Sequence, residues 1–149
     1  MSWLRMAPGK RLDELLSAAP GAVEADSAMR HCLQAHLTPR LYAMIGVAVA
    51  GCLGCERFVD ALRGPLESSE AVQIARDRCQ AALTVREKAV LAYAEKGTLD
   101  EASVRRGDVD ALRAQGFDDK DVLVIATAVA YHNYAVRMAA AFDVSPHYY

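Results

Sequence analysis

The sequence predicts an all-α protein, and three observations support this prediction. Apolar residues recur at spacings of three and four along nearly every segment, which is typical of amphipathic helices. Glycine and proline fall at positions where such helices would begin or end. No segment shows the strict alternation of a half-buried strand. The 149 residues fit one domain of ordinary size.

The first half contains two short amphipathic helices and one central helix. The short helices are predicted at residues 10–19 and 27–37, and Cys32 lies on the apolar face of the second, so we expect it in the core. Thr38 is a good N-cap and Pro39 suits the first helical turn. The helix after them, residues 40–50, is apolar all round and should be central, with Gly51 ending it.

The second half continues the same pattern. A capping box at Thr84 and Glu87 and a capping residue at Asp118 mark two helix starts. Cys79 lies on an apolar stripe and is predicted to be core. The helices are expected at residues 52–63, 70–83, 84–95, 108–115 and 120–142. Together they suggest two buried hairpins with smaller covering helices.

The sequence predicts a single domain over residues 1–149. Within it, residues 1–37 would form covering helices, 38–143 the core and 144–149 a tail. The first twenty residues are too charged for a secretory signal, and the longest charge-free run, residues 41–55, is too short to cross a membrane. We therefore expect a cytoplasmic protein without a membrane partner.

Composition and charge exclude further classes of function. Hydrophobic residues make up 53% and charged residues 24%, which is typical of a folded chain. The net charge of −2 argues against nucleic acid as a partner. In a reducing cytoplasm, a C-x-x-C pair indicates redox or metal chemistry more than a structural disulfide.

Cys52 and Cys55 form the C-x-x-C pair in the stretch GCLGC. If Gly51 ends one helix, Cys52 falls in the first turn of the next, where free N–H groups and the helix dipole would lower its thiol pKa. The alternative is that both cysteines are small buried apolar residues. A zinc site needs about four ligands, and no second pair repeats the spacing. No metal or other cofactor is therefore predicted.

Two segments resemble the alkylhydroperoxidase D-like, or carboxymuconolactone decarboxylase, family over residues 38–143. The first is LTPRLYAMIGVAVAGCLGC, a proline-led apolar helix followed by C-x-x-C. The second extends from LTVREK to the end of the long apolar helix and is similar to the peroxidase-related subgroup. Asn133, Tyr134 and Arg137 match the asparagine, aromatic residue and arginine near the end of that helix.

The resemblance implies an all-α protein that oligomerises through buried helices as a dimer, trimer or hexamer. It implies a pocket near the subunit interface for a small-molecule substrate, and a thiol reductant protein is a further expected partner. In redox-active members the second cysteine attacks a peroxide and the first resolves the disulfide. A histidine one turn after the pair and a glutamate twelve residues before it relay protons.

This chain departs from the family at the relay positions. Val59 stands one turn after Cys55 in place of histidine, with Phe58 beside it, and Arg40 stands twelve residues before Cys52 in place of glutamate. Gly54 stands where redox members often have histidine or tyrosine. The dithiol is retained and its relay is absent, which should slow attack on a peroxide.

Three polar residues are candidates for substrate binding or acid–base work. Arg40 would favour a thiolate if it lay near the sulfurs, or bind an anionic ligand, or be an ordinary surface arginine. His132 would be a relocated acid or base, or a histidine hydrogen-bonded at a helix interface. Asn133 is, with His132, the polar group expected to face a cavity.

Three hypotheses for function follow. The first is a thiol–disulfide oxidoreductase with Cys52 and Cys55 as catalytic residues. The second is a non-redox enzyme of the lyase, decarboxylase or isomerase type, which binds a small anionic metabolite in an interface pocket through Arg40, His132 and Asn133. The third is a catalytically silent ligand-binding protein. The retained cysteines favour the first and the missing relay favours the others.

Overall fold

The most apolar segment of the chain forms a helix around which the others pack. The computed structural model describes residues 10–146, and in it this helix spans Pro39–Cys52. The Thr38 hydroxyl accepts a hydrogen bond from the backbone N–H of Leu41 at 3.1 Å, so the predicted helix start is confirmed. All residues from 42 to 50 are buried. The predicted central position of this helix is therefore confirmed.

The predicted all-α class is also confirmed for the described residues. In chain order the helices are α1 (Leu12–Leu16), α2 (Ala22–His36), α3 (Pro39–Cys52), α4 (Val59–Leu62), α5 (Ser68–Arg76), α6 (Val85–Leu99), α7 (Arg106–Arg113) and α8 (Asp119–Ala141). Short 3₁₀ turns lie at Glu56–Phe58 and Glu101–Ser103. No helix within residues 10–146 is both long and apolar enough to cross a membrane.

The helix α3 packs against α5, α6 and α8, and one glycine sets how closely it approaches α5. A Cβ atom at Gly51 would lie 2.1 Å from the backbone oxygen of Ala75. The prediction that Gly51 ends the helix is wrong, because α3 continues through Cys52. Gly51 is instead the point where the α5 backbone lies directly against α3.

The helix α2 presents a different face to the core than its apolar pattern predicts. Met29 and Cys32 are exposed, whereas Asp26 and Leu33 are buried. The hydroxyl of Tyr131 on α8 donates to the Asp26 carboxylate at 3.2 Å, which provides a partner for this buried acid. The prediction that Cys32 is a core residue is therefore wrong.

The helix α5 is shorter than predicted and leaves Cys79 outside the core. It ends at Arg76 because Asp77 adopts an extended backbone conformation. The Asp77 side chain then accepts a hydrogen bond from the Cys79 backbone N–H at 3.1 Å, as expected for an aspartate turn. Cys79 lies in this turn and is exposed. The prediction that it is buried is wrong.

The capping predictions in the second half are confirmed. Thr84 and Glu87 exchange backbone and side-chain hydrogen bonds at 3.0 and 3.1 Å, and Asp118 and Asp121 do the same at 3.0 and 2.8 Å. The helix α6 continues past Gly97 to Leu99. Glycine inside a helix costs only about 1 kcal/mol relative to alanine, so a glycine alone does not end a helix.

The two ends of the described chain lie together. The backbone N–H of Ser145 donates to Lys10 at 2.8 Å, and that of Leu12 donates to Ser145 at 2.9 Å. The predicted tail therefore begins as a short extended pairing with the segment before α1. Its last residues, 147–149, and the first nine residues of the predicted covering segment lie outside the described residues.

Two glycines of α3 and α6 form a matched pair for testing the close packing. Gly51→Ala should destabilise the fold by roughly 2–4 kcal/mol, because its Cβ would displace the α5 backbone. Gly97→Ala should stabilise it by up to about 1 kcal/mol, since its Cβ would meet only Val129 Cγ1 at 3.5 Å. Urea unfolding measures both changes. Equal stabilities for the two variants would contradict the packing described for Gly51.

Candidate functional site

The cysteine pair brackets the turn that ends α3. The backbone N–H of Cys55 donates to Ala50 at 2.8 Å, and that of Gly54 donates to Gly51 at 3.1 Å. These two bonds form a Schellman motif, with Gly54 in the left-handed conformation at φ +69°. Cys52 therefore lies in the last turn of one helix and not in the first turn of the next, so that prediction is wrong.

This position changes the electrostatics of Cys52. The C-terminal end of a helix carries partial negative charge, which disfavours a thiolate, whereas the predicted N-terminal position would have favoured it. The same turn explains Gly54. A side chain at a positive φ is strained, so histidine or tyrosine would fit poorly at this position.

Arg78 and Glu95 form an ion pair that acts on the Cys52 thiol. Burial raises the pKa of Cys52, the Arg78 guanidinium lowers it, and the Glu95 carboxylate raises it, with a net increase. Arg78 Nη2 lies 2.9 Å from Glu95 Oε1, and the Arg78 side chain is mostly buried. An opposite charge near a thiol favours its charged form, so Arg78 partly offsets the effect of burial on Cys52.

The position of Arg78 follows from the close packing of α3 and α5. Its Nη1 group donates to the carbonyls of Ile74 at 3.2 Å and Ala75 at 3.4 Å, the last turn of α5. The Ala75 carbonyl is the atom that lies against Gly51, the residue before Cys52. Arg78 therefore caps the C-terminal end of α5, and its guanidinium lies near the C-terminal end of α3.

Cys55 is partly buried and lies just before the 3₁₀ turn Glu56–Phe58. Its thiol donates to the Leu53 carbonyl at 3.6 Å. Phe58 and Val59 are both buried in the core, so the position one turn after Cys55 is filled by apolar packing. No histidine of the described chain takes the place of a relay at this point.

Arg40 lies far from the cysteines. It is in the first turn of α3, and twelve residues of helix separate it from Cys52 by about 18 Å. Its guanidinium binds Glu70 at 2.6 Å and Glu87 at 2.8 Å, and these hydrogen bonds raise its pKa. Arg40 joins the N-terminal ends of α3, α5 and α6. The structure therefore does not bring it together with the sulfurs.

The acid partner of this network is held in its charged form. Burial alone would raise the pKa of Glu87, but the hydrogen bonds from Arg40 and Thr84 lower it overall. One oxygen of Glu87 accepts from Arg40 and the other from the Thr84 backbone N–H at 3.0 Å. The two carboxylates exceed the single charge of Arg40, which disfavours a further anion there.

His132 is fully enclosed between α3 and α8, with 1% of its surface exposed. A Cβ at Gly46 would lie 2.8 Å from its ring, and the Tyr42 ring centroid is 4.7 Å away. Burial lowers its pKa to about 4, an effect that the Tyr42 carbonyl partly offsets. Neither ring nitrogen forms a hydrogen bond of good geometry among the described residues, so the Tyr42 carbonyl acts on the ring only through a weak contact.

The enclosed position separates His132 from the dithiol. The His132 ring packs over Gly46, which precedes Cys52 by six residues. The two positions are therefore separated by about 9 Å along the axis of α3 and by about 120° around it. A neutral buried imidazole at this place contributes volume to the core. The structure does not bring it together with Cys52 or Cys55.

Asn133 lies on the other side of α8 and lines a cleft of about 700 Å³. Its amide nitrogen donates to Thr98 Oγ1 and to the Val129 carbonyl, both at 2.9 Å. Its oxygen accepts from Arg137 Nε at 3.4 Å. Of the other predicted polar candidates, Arg40 borders only a smaller pocket of about 200 Å³ at the N-terminal end of α3.

Solved structures share this arrangement of helices. No family model and no curated protein matches the sequence. A peroxidase-related protein from Ralstonia eutropha JMP134, described as an alkylhydroperoxidase AhpD core, is 29% identical, with a TM-score of 0.76 over 90% of this chain and 75% of its own. A peroxidase-related protein from Silicibacter sp. TM1040 is 22% identical, with a TM-score of 0.74 over 91% and 75%.

The chain has the fold of the alkylhydroperoxidase D-like proteins. The resemblance stated from the sequence is thus confirmed. The debrominase Bmp8, in an alanine variant bound to 2,3,4-tribromopyrrole, shares the fold at 17% identity, with a TM-score of 0.74 over 91% of this chain and 75% of its own. The fold therefore occurs in proteins described with different activities.

Within this fold, the chain keeps the cysteine pair and surrounds it with residues that the sequence did not indicate. Arg78 and Glu95 were missed because they lie in the turn after α5 and on α6, far from the pair in sequence. The adjacency of Arg78 to Cys79 in the chain was the available signal. This adjacency indicates a role at Cys52 only when the packing of α5 on Gly51 is known.

The enclosed histidine should make stability depend on pH. Its folded pKa of about 4 is below the unfolded value, so the unfolded state binds more protons and stability falls as pH falls from about 6.5 to 4. The contribution amounts to about 3 kcal/mol. His132→Phe should flatten this dependence, and His36→Gln, at an exposed histidine, should not. Urea titrations between these pH values measure it, and an unchanged slope in His132→Phe would contradict it.

Proposed function

We propose that this protein is a thiol–disulfide oxidoreductase of peroxidase-like type, in which Cys55 attacks and Cys52 resolves. The family relationship supports the class of reaction. The contrast between the cysteines supports the assignment, because burial raises the pKa of Cys52 and favours its thiol form. Cys55 follows the turn and donates only to a carbonyl 3.6 Å away.

The proposed reaction transfers two electrons from the cysteines to a peroxide. The Cys55 thiolate attacks the terminal oxygen of the peroxide and breaks the O–O bond, so Cys55 becomes a sulfenic acid. The remainder of the peroxide leaves as an alkoxide and is protonated to an alcohol. The Cys52 thiol then attacks the Cys55 sulfur, releases water and forms the disulfide. An external dithiol, either a small molecule or a thiol reductant protein, returns both cysteines to thiols and is itself oxidised.

The observation that carries this proposal is the Arg78–Glu95 ion pair at Cys52. Cys52 must lose its proton to close the disulfide and must leave as a thiolate when the disulfide is reduced. The charge of Arg78 favours that thiolate. We assign to Glu95, the ion-pair partner of Arg78, the role of the base that takes the proton of this thiol. The pair would thus replace part of the missing relay on the resolving cysteine, rather than on the attacking one.

The two cysteines should give different products when substituted. With cumene hydroperoxide and dithiothreitol, Cys55→Ser should abolish turnover. With the peroxide alone and no reductant, Cys52→Ser should reduce the peroxide once and stop as a Cys55 sulfenic acid, which adds one oxygen to the intact mass. The wild type should lose two hydrogens as its disulfide forms. Thiols that stay reduced in the wild type, or full turnover by Cys55→Ser, would rule out the mechanism.

Replacement of Arg78 should slow the thiolate steps. In Arg78→Gln we expect a higher pKa for Cys52 and about tenfold slower disulfide reduction, since the guanidinium no longer stabilises the leaving thiolate. Arg78→Lys should restore part of the rate because it keeps the charge. Arg106→Gln is the control, as Arg106 is 89% exposed on α7. The pH profile of Cys52 alkylation in a Cys55→Ser background measures the effect, and an unchanged profile would refute the role of Arg78.

A non-redox enzyme on the same scaffold remains the second candidate. The apolar packing at Phe58 and Val59 supports it, because this packing leaves no room for the usual relay histidine. The shared fold with a debrominase adds support for a substrate other than a peroxide. Cysteines that resist mild peroxide, together with an activity that survives Cys55→Ser, would favour this candidate over the first.

A further inference from the structure

A second candidate site lies on the side of α6 that faces away from the cysteines. Glu95 acts on Cys52, whereas Tyr93 and Gly97 line the cleft of about 700 Å³ between α6, the 3₁₀ turn Glu101–Ser103 and α8. Two residues of an α-helix turn through about 200°, so the two sets lie on opposite faces of α6. The cleft is therefore separate from the proposed redox site.

Arg137 provides a cation at this cleft. It is exposed and forms no ion pair among the described residues, where its Nε donates to Asn133 at 3.4 Å. Arg40 and Arg78, by contrast, are both paired with carboxylates. The two terminal nitrogens of Arg137 are thus available as the fork that binds a carboxylate.

Asn133 holds this guanidinium in place. The Val129 carbonyl can only accept, which assigns the amide nitrogen to that side and leaves the oxygen for Arg137, four residues and one turn later. The same nitrogen donates to Thr98, a hydroxyl with 5% exposure. The Thr98 hydroxyl, the Asn133 amide and the Arg137 guanidinium therefore form one continuous chain of hydrogen bonds.

The rest of the cleft is suited to an apolar body with one charged end. Its lining between the polar groups is formed by Val104, Ala126, Val129 and Ala130. Tyr93 borders it, and burial raises the pKa of Tyr93, so its hydroxyl stays protonated at neutral pH and is able to donate. Glu101 lies in the same lining and offsets the charge of Arg137, which disfavours a dianion such as phosphate.

We propose that this cleft binds a small organic monocarboxylate. The carboxylate pairs with Arg137, as positioned by Asn133, and the hydrocarbon part covers the α8 side of the cleft at Ala126 and Val129. The site does not depend on the cysteine chemistry proposed above. It gives the protein a ligand whose recognition requires charge and shape but no redox step.

The test is a titration of the full chain with benzoate, hexanoate and indole-3-acetate, followed by NMR shifts of the α8 amides. Benzamide, the neutral match of benzoate, should bind at least tenfold more weakly. Arg137→Gln should weaken benzoate about tenfold, Arg137→Lys should weaken it less because the charge remains, and Arg106→Gln should have no effect. Equal binding of benzoate and benzamide, or an unchanged affinity in Arg137→Gln, would overturn the proposal.

Two further variants establish the place of binding. Ala126→Leu fills the cleft from a position on α8 that is only partly buried, so it should abolish binding of all three carboxylates without unfolding the protein. The double variant Cys52→Ser, Cys55→Ser should bind as the wild type does, even if it has lost every redox activity. No saturable binding of any probe below about 10 mM, or loss of binding in the cysteine variant alone, would overturn the site.

Discussion

The close contact between Gly51 of α3 and the Ala75 carbonyl of α5 is the constraint on which the site depends. A hydrogen atom in place of a side chain allows the α5 backbone to lie where a Cβ would be 2.1 Å away. Gly46 plays a similar part on another face, about 140° around α3, where it leaves room for the His132 ring. The central helix is thus packed through its glycines as much as through its apolar side chains.

The chemistry at Cys52 follows from this contact. Because the α5 carbonyls lie beside the end of α3, the arginine that caps them also lies beside the thiol. The charge of Arg78 opposes both the burial of Cys52 and the negative end of α3. The redox candidate is therefore built by two helix C-termini that meet, and not by the helix N-terminus typical of reactive cysteines.

The buried polar groups of the protein differ in what they contribute. Asp26 accepts a hydrogen bond from Tyr131 and Thr98 accepts one from Asn133, both on α8. Each bond fixes the position of a side chain that lines a surface cleft. His132 has none among the described residues and is kept neutral by burial. A partnered polar group adds orientation, whereas an unpartnered one only occupies volume and makes the core sensitive to acid.

The sequence by itself determined the all-α class, the central place of α3, and the helix starts at Thr38, Thr84 and Asp118, because periodicity and capping act over a few residues. The local pattern failed for Gly51, since a glycine that ends a helix and one that admits a neighbouring backbone look alike in sequence. It failed for Cys32 and Cys79 because an apolar stripe does not say whether a core lies opposite it.

Only the tertiary structure decided which polar groups meet. Arg40 and Cys52 are twelve residues apart but about 18 Å distant, because a continuous helix joins them. Arg78, in the turn after α5, and Glu95, on α6, both act on the charge of Cys52. Asn133 meets Thr98 across thirty-five positions of the chain. These contacts depend on how the helices pack. Helix packing is determined by the shapes of many side chains together, so no single spacing in the sequence predicts it.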